Sequence, residues 1–101
     1  TWKSHEKRTA KALGGTRVSG PWRKGPDVVG DGFVAECKSR KALPRWIVDA
    51  VMQAVSAAGE FQLPFAVLHG QGQRSENDLV VMRRKDFQEW FGYGQVPEVQ
   101  E

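Results

Sequence analysis

The pattern of hydrophobic and polar residues, together with helix caps, predicts three helices. The segment that runs from Ser4 as N-cap to the glycine stop at Gly14 is rich in helix-forming residues, which predicts a first helix. Residues 45–58 carry a polar stripe within an otherwise apolar pattern, which is typical of a mostly buried helix. A short last helix is predicted over residues 86–91.

Short apolar runs between turn-forming residues predict the strands. TRVSG is a first strand, and DVVGDGFVAECKS contains two more strands about a tight turn. PFAVLHG and DLVVMR are two further strands joined by the polar loop QGQRSEN. The elements therefore follow the order α-β-β-β-α-β-β-α. We expect one mixed α/β domain over residues 1–101, with residues 92–101 as a loose tail.

Composition narrows the class of protein. The chain has 101 residues, of which 40% are apolar and 27% charged, as in a globular domain with a single core. Its one cysteine cannot form an internal disulfide, which favours an intracellular, cytoplasmic setting. The longest apolar stretch, WIVDAVMQAVSAA, is too short and too polar to cross a bilayer, so no membrane partner is expected.

Charge is distributed unevenly along the chain. Residues 1–46 contain eleven Lys and Arg against four Asp and Glu, whereas residues 47–101 contain four against eight. A basic half indicates a polyanionic partner, most often nucleic acid, because Lys and Arg neutralise phosphates and release counterions. An unevenly charged surface without a partner is the simpler alternative.

The hairpin PDVVGDGFVAECK raises an electrostatic problem. If Asp31 and Gly32 form the turn, the register places Asp27 directly opposite Glu36, with Cβ atoms about 4.5–5.5 Å apart, where like charges repel. Lys38 lies on the same face as Glu36, while the side chain between them points to the other face. A sheet built only for stability would avoid this pairing.

A divalent cation would resolve the repulsion between these carboxylates. Mg²⁺ typically takes one or two protein carboxylates and keeps several waters, and Mn²⁺ can substitute for it. Asp27 and Glu36 are the predicted ligands, with the backbone carbonyl of Cys37 as a further one, and Lys38 would hold the attacking water or the phosphate. The alternative is structural: Asp27 begins a strand, and Glu36 and Lys38 form a solvated ion pair.

These residues also carry a family resemblance. Pro26-Asp27, eight intervening residues and Glu36-Cys37-Lys38 resemble the PD-(D/E)XK nuclease signature. With the helix that carries Glu6, the stretch RVSG and the run PDVVGDGFVAECKSRK, the chain looks like the archaeal-type Holliday junction resolvases and their phage relatives. The Gln-x-x-x-Tyr of some exonuclease-like relatives is missing, because Ala57 follows Gln53 at that spacing.

The resemblance implies a restriction-endonuclease-like fold, a central mixed β-sheet flanked by helices. It also implies a phage-encoded or microbial homodimer that cuts four-way DNA junctions with Mg²⁺, and it makes Glu6 an additional metal-site and catalytic candidate. The candidate DNA-binding residues are Lys7, Arg8, Lys11, Arg17, Ser19, Arg23, Lys24, Arg40 and Lys41.

Two alternatives stay open. The same core would serve a restriction- or repair-type nuclease that acts on duplex, flap or single-stranded DNA, because loops and dimer geometry decide the shape of the substrate. The chain could also be a nucleic-acid-binding module that has the fold without the chemistry.

Overall fold

The computed structural model describes residues 2–18 and 25–92, which form a mixed α/β protein. The described elements are helix α1 (Trp2–Leu13), strands β1 (Thr16–Arg17), β2 (Val28–Gly30) and β3 (Phe33–Ala35), helix α2 (Arg45–Ala57), strand β4 (Ala66–Leu68), a 3₁₀ helix (Ser75–Asn77), strand β5 (Leu79–Val81) and helix α3 (Arg84–Phe91). This is the predicted order of helices and strands with the 3₁₀ helix added. The last helix begins two residues earlier than predicted, at Arg84.

The strands pair in two small antiparallel sheets. The first sheet has the order β1-β2-β3, and the second consists of β4 and β5. Every pair found among the described strands is antiparallel, so these strands do not form the predicted single central mixed sheet. Each strand has only two or three residues and pairs with a strand close to it in the chain.

The chain is organised as two compact units, each of which contains one of the sheets. Of the described residues, the first unit contains 2–18, 25–41, Phe91 and Gly92, and the second unit is Ala42–Trp90. One domain over residues 1–101 stays a prediction, and the expected loose tail lies outside the described residues apart from Gly92.

Helix α1 of the first unit ends in a glycine cap. Gly14 has φ of +71°, a left-handed conformation that glycine adopts without steric cost, and the Gly15 N–H donates to the carbonyl of Ala10 at 2.8 Å. Together these features form a Schellman motif, which turns the chain out of the helix and into β1. The glycine stop predicted from the sequence is confirmed.

The β2–β3 hairpin has the predicted turn. Gly30 pairs with Phe33, so Asp31 and Gly32 are the two turn residues. Gly32 has φ of +85° whereas Asp31 keeps a negative φ, which are the signs of a type II turn rather than a type I′ turn. The Phe33 ring occupies the space that a Cβ atom on Gly30 would need, so glycine allows this close contact.

Helix α1 packs against the first sheet and forms a small core with it. Ala10 and Leu13 are buried on α1, and Val28 of β2 is fully buried. The same helix face also buries the polar residues Glu6 and Thr9, each four residues before a buried apolar residue. The core of the first unit is therefore partly polar.

Helix α2 of the second unit differs from its prediction. Val51 is its only buried residue, while Trp46, Val48 and Met52 are exposed, so the expectation of a mostly buried helix is wrong. Helix α2 contacts β4. The sheet of β4 and β5 has two strands of three residues each, so it is too small to cover the apolar surface of the helix. No helix in the described part of the chain is long and apolar enough to span a membrane.

Candidate active site

Asp27 is the best-anchored acidic residue of the first unit. Its N–H donates to the carbonyl of Ala35 at 3.0 Å, and its own carbonyl accepts from the Val18 N–H at 2.9 Å. Its carboxylate Oδ2 accepts the N–H of Cys37 at 2.7 Å, a short charge-assisted hydrogen bond. These bonds tie Asp27 to the chain segments on both sides of β2 and hold its carboxylate in one place.

The predicted cross-strand pair of Asp27 and Glu36 is not formed. The β2–β3 ladder ends at the pair Val28–Ala35, and the Asp27 N–H donates to the carbonyl of this same Ala35. The register therefore shifts by one residue at Asp27, as in a β-bulge. Because the short Asp27 side chain binds the Cys37 N–H, the chain leaves the ladder before Glu36 can face it.

Glu6 and Asp27 are the two buried acids among the described residues, with exposures of 3% and 6%. Glu6 lies on the buried face of α1, and its Oε1 accepts a hydrogen bond from Nε of Arg17 in β1 at 2.9 Å. This largely buried ion pair connects the helix to the sheet. A buried carboxylate requires such compensation, because removing a charge from water is costly.

Glu36 and Lys38 lie in solvent after the end of β3. Their side chains are 56% and 80% exposed, and Nζ of Lys38 lies 3.9 Å from Oε1 of Glu36. This contact agrees with the structural alternative of a solvated ion pair, which contributes only a few tenths of a kcal/mol at such exposure. It also shows that the two side chains approach each other, as their spacing predicts.

A metal site at Asp27 and Glu36 requires ligand atoms of suitable type and position. No cluster of three or more His, Cys, Asp or Glu side chains that could hold a metal ion occurs within residues 2–18 and 25–92. Mg²⁺ needs only one or two carboxylates besides its waters. A carboxylate has about four lone-pair positions, and the Cys37 N–H occupies one of those of Asp27. Carboxylate oxygens are ligands that Mg²⁺ prefers, but the structure does not bring those of Asp27 and Glu36 opposite each other.

The predicted DNA-binding residues fall into three groups. Lys7, Arg8 and Lys11 are exposed on α1, away from its buried face, and Arg40 and Lys41 are exposed after β3. Arg17 instead lies partly buried in the ion pair with Glu6. The third group lies outside the described residues: Ser19, Arg23 and Lys24. The exposed members give the first unit a basic surface on α1 and another after β3.

The second unit contains two features that the sequence reasoning did not single out. Nδ1 of His69 lies 2.6 Å from Oδ1 of Asp78 where the β4–β5 ladder ends. The polar loop separates the two residues in the sequence, so their spacing did not indicate this contact. A cavity also lies beside α3, lined by Phe61 and Trp90 together with acidic side chains. The spacing of Asp86, Glu89 and Trp90 at i, i+3 and i+4 was a sequence signal for one shared helix face.

Comparisons of the chain with protein-family models, with curated proteins and with solved structures give no match.

Proposed function

We propose that the chain is a metal-dependent endodeoxyribonuclease and that its substrate is a four-way DNA junction. The observation that carries this proposal is the Asp27 carboxylate. It is buried and accepts the N–H of Cys37, the residue between the exposed Glu36 and Lys38. A fixed acid beside an exposed acid and an exposed amine suits phosphodiester hydrolysis.

Each candidate residue of the first unit would have its own role in the reaction. Asp27 and Glu36 would hold Mg²⁺, or Mn²⁺ in its place, with the backbone carbonyl of Cys37 as a further ligand. The ion, when bound, supplies stabilisation of phosphate charge and a more acidic water. Lys38 would orient the attacking water or a phosphate oxygen, and its solvent exposure leaves it accessible to DNA. Glu6 is the further metal-site candidate from the sequence. Its ion pair with Arg17 supports instead a role in positioning helix α1 against strand β1.

The exposed cations would bind the DNA backbone. Lys7 and Lys11 are four residues apart on α1, and with Arg8 they present three charges on exposed helix positions. Arg40 and Lys41 begin two residues after Lys38, so phosphates bound there would lie near the candidate site. Binding of this kind is independent of sequence and weakens steeply with salt.

A homodimer is part of the proposal. A four-way junction needs two symmetric cuts, and a two-fold dimer supplies two active sites in that relation. Exposed apolar side chains on the second unit support an association: Val67 and Val80 pair across the β4–β5 ladder, and both are more than half exposed. We place the protein in the cytoplasm of a microbial or phage-infected cell because its one cysteine cannot form an internal disulfide and because of the resemblance to microbial and phage resolvases.

A non-catalytic DNA-binding module is the second candidate function. The observation that favours it is that each of the three acids has a structural partner: Glu6 has Arg17, Asp27 has the Cys37 N–H, and Glu36 has Lys38. In this alternative the acids stabilise the first unit, and the exposed cations alone carry the function.

Cleavage of a panel of DNAs separates the candidates. Labelled four-way junction, splayed-arm, duplex and single-stranded DNA are incubated with the full chain in Mg²⁺ and in EDTA. Paired symmetric nicks in the junction alone, abolished by EDTA, are the expected result. Metal-dependent cutting of the other DNAs would instead indicate a restriction- or repair-type nuclease. Tight, salt-sensitive binding without cutting of any DNA would identify the binding module.

A further inference from the structure

A cavity of about 360 Å³ lies within the second unit, between the turn at residues 59–64 and helix α3. Its size falls within the range of about 300–1,000 Å³ that is common for ligand pockets. None of its residues belongs to the proposed nuclease site. A function of this cavity is therefore separate from DNA cleavage.

Hydrogen bonds fix the turn that forms one wall of the cavity. The Gly59 N–H donates to Oε1 of Gln62 at 2.8 Å, and the Gln62 N–H donates to the carbonyl of Gly59 at 3.2 Å. Between these two residues, Glu60 and Phe61 line the cavity, and Phe61 is 83% exposed. A closed turn with such an exposed aromatic residue keeps a large apolar surface in water, where a ligand can cover it.

Helix α3 forms the other wall. Asp86, Glu89 and Trp90 line the cavity from one helix face, and Trp90 is 55% exposed. Arg83 binds the Asp86 carboxylate through two nitrogens at 2.7 and 3.2 Å, so the charge of Asp86 is compensated locally. The hydrogen bond to Asp86, reinforced by the negative charges of Asp86 and Glu89, raises the pKa of Arg83 and keeps it protonated.

The two remaining carboxylates of the cavity differ from Asp86 in their partners. Glu60 and Glu89 are exposed, and within the described part of the chain neither forms an ion pair. The cavity thus combines two carboxylates that form no ion pair among the described residues with the rings of Phe61 and Trp90. Carboxylates attract a cation by charge, and aromatic rings attract it through the negative potential of their faces. An anion would be repelled, and a neutral apolar ligand would desolvate the carboxylates without compensation.

We propose that this cavity binds the cationic side chain of an arginine or lysine presented by an exposed segment of a protein partner. The guanidinium or ammonium group would meet Glu60 and Glu89, and the aliphatic stem would cover Phe61 and Trp90. The attachment depends on charge and on aromatic contact together. This distinguishes it from the basic surfaces of the first unit, which suit an anionic partner.

Titration of the ¹⁵N-labelled full chain, followed by ¹H–¹⁵N correlation spectra, tests the proposal. The probes are N-acetyl-arginine methylamide, its neutral isostere N-acetyl-citrulline methylamide, and spermidine as a free cation. We expect the arginine probe to shift resonances of residues 59–64 and of α3, and the citrulline probe to bind at least about fivefold more weakly, as loss of about 1 kcal/mol predicts. Equal affinity of the two probes, or no shift with the arginine probe at about 20 mM, well above a millimolar Kd, would overturn the proposal. Shifts of the cavity resonances with spermidine but not with the arginine probe would also overturn it.

Variants assign the binding to the cavity. Glu60→Gln and Glu89→Gln should each weaken the arginine probe by roughly two- to fivefold, which is the range of one partly exposed charge pair. Phe61→Leu should weaken it by a similar factor because it removes a cation–π contact. Glu76→Gln is the matched control, since Glu76 is an exposed carboxylate outside the cavity that pairs with Arg74 at 3.7 Å. Unchanged affinity in the double variant of Glu60 and Glu89 would contradict the proposal.

Discussion

In the first unit, the buried residues include two carboxylates and a threonine, whereas in the second unit Val51 is the only buried residue of the described chain. The second unit instead exposes large apolar side chains on α2, on both strands of its sheet and on α3. Burying a carboxylate is costly, while exposing single apolar residues is ordinary. The small core of the first unit tolerates Glu6 and Asp27 because Arg17 and the Cys37 N–H donate hydrogen bonds to their carboxylates.

The two units also compensate their charges differently. The Glu6–Arg17 pair of the first unit is largely buried, and the comparable Arg74–Glu76 pair of the second unit is exposed on both sides. Electrostatic interactions are stronger and less screened where water is excluded. The contrast predicts that substitutions of charged residues will lower the free energy of unfolding far more in the first unit than in the second.

The largest expected effect comes from breaking the buried ion pair. Arg17→Ala removes the guanidinium from a buried Glu6 carboxylate and should lower the free energy of unfolding by about 3 kcal/mol. Arg74→Ala, the matched change at an exposed pair, should cost less than about 1 kcal/mol. Urea denaturation of both variants and the wild type measures the difference. Equal losses would show that burial does not distinguish the two pairs.

A smaller effect is expected from the apolar core. Val28 is fully buried, so Val28→Ala should cost about 2 kcal/mol through lost transfer free energy and the cavity it leaves. Val80→Ala removes the same atoms from an exposed strand position and should change stability by at most about 0.5 kcal/mol. Thermal unfolding of the two variants compares them. A larger loss for Val80 would mean that its face is covered in solution, as in a dimer.

The smallest expected effect is stabilisation by metal. If Glu36 is a ligand, Mg²⁺ at about ten times its Kd should stabilise the wild type by about 1.4 kcal/mol, a shift of several degrees in Tm. Glu36→Gln should lose most of this shift, whereas Glu76→Gln, an exposed carboxylate of the second unit, should keep it. Differential scanning calorimetry with Mg²⁺ and with Mn²⁺ measures it. The metal-site assignment is wrong if all three proteins respond alike.

Local chemistry accounts for the parts of the fold that the sequence predicted well. The Gly14 stop and the Asp31–Gly32 turn depend on a few neighbouring residues, and both are present as predicted. Periodicity did not reveal how little of α2 is buried, because its apolar pattern gives no information on the size of the sheet beside it. Tertiary surroundings decide burial, and they are not local in the sequence.

The candidate site was predicted in part. The sequence singled out Asp27, Glu36 and Lys38, and the structure places the last two in contact. It could not predict the register shift at Asp27, because that shift depends on a side-chain bond to the Cys37 N–H rather than on alternation. Arg17, counted as a DNA-binding residue from its charge, also forms the hydrogen bond to Glu6, which charge alone does not predict.

Metal-dependent cleavage of a four-way junction by wild type and by Asp27→Asn tests the central claim most directly. Asparagine keeps a side-chain oxygen that can accept the Cys37 N–H, so the hairpin should remain folded while the negative charge is lost. If Asp27 acts in hydrolysis, the variant should bind the junction like the wild type and cut it at least about 100-fold more slowly. Cleavage by Asp27→Asn at the wild-type rate would show that Asp27 only closes the hairpin.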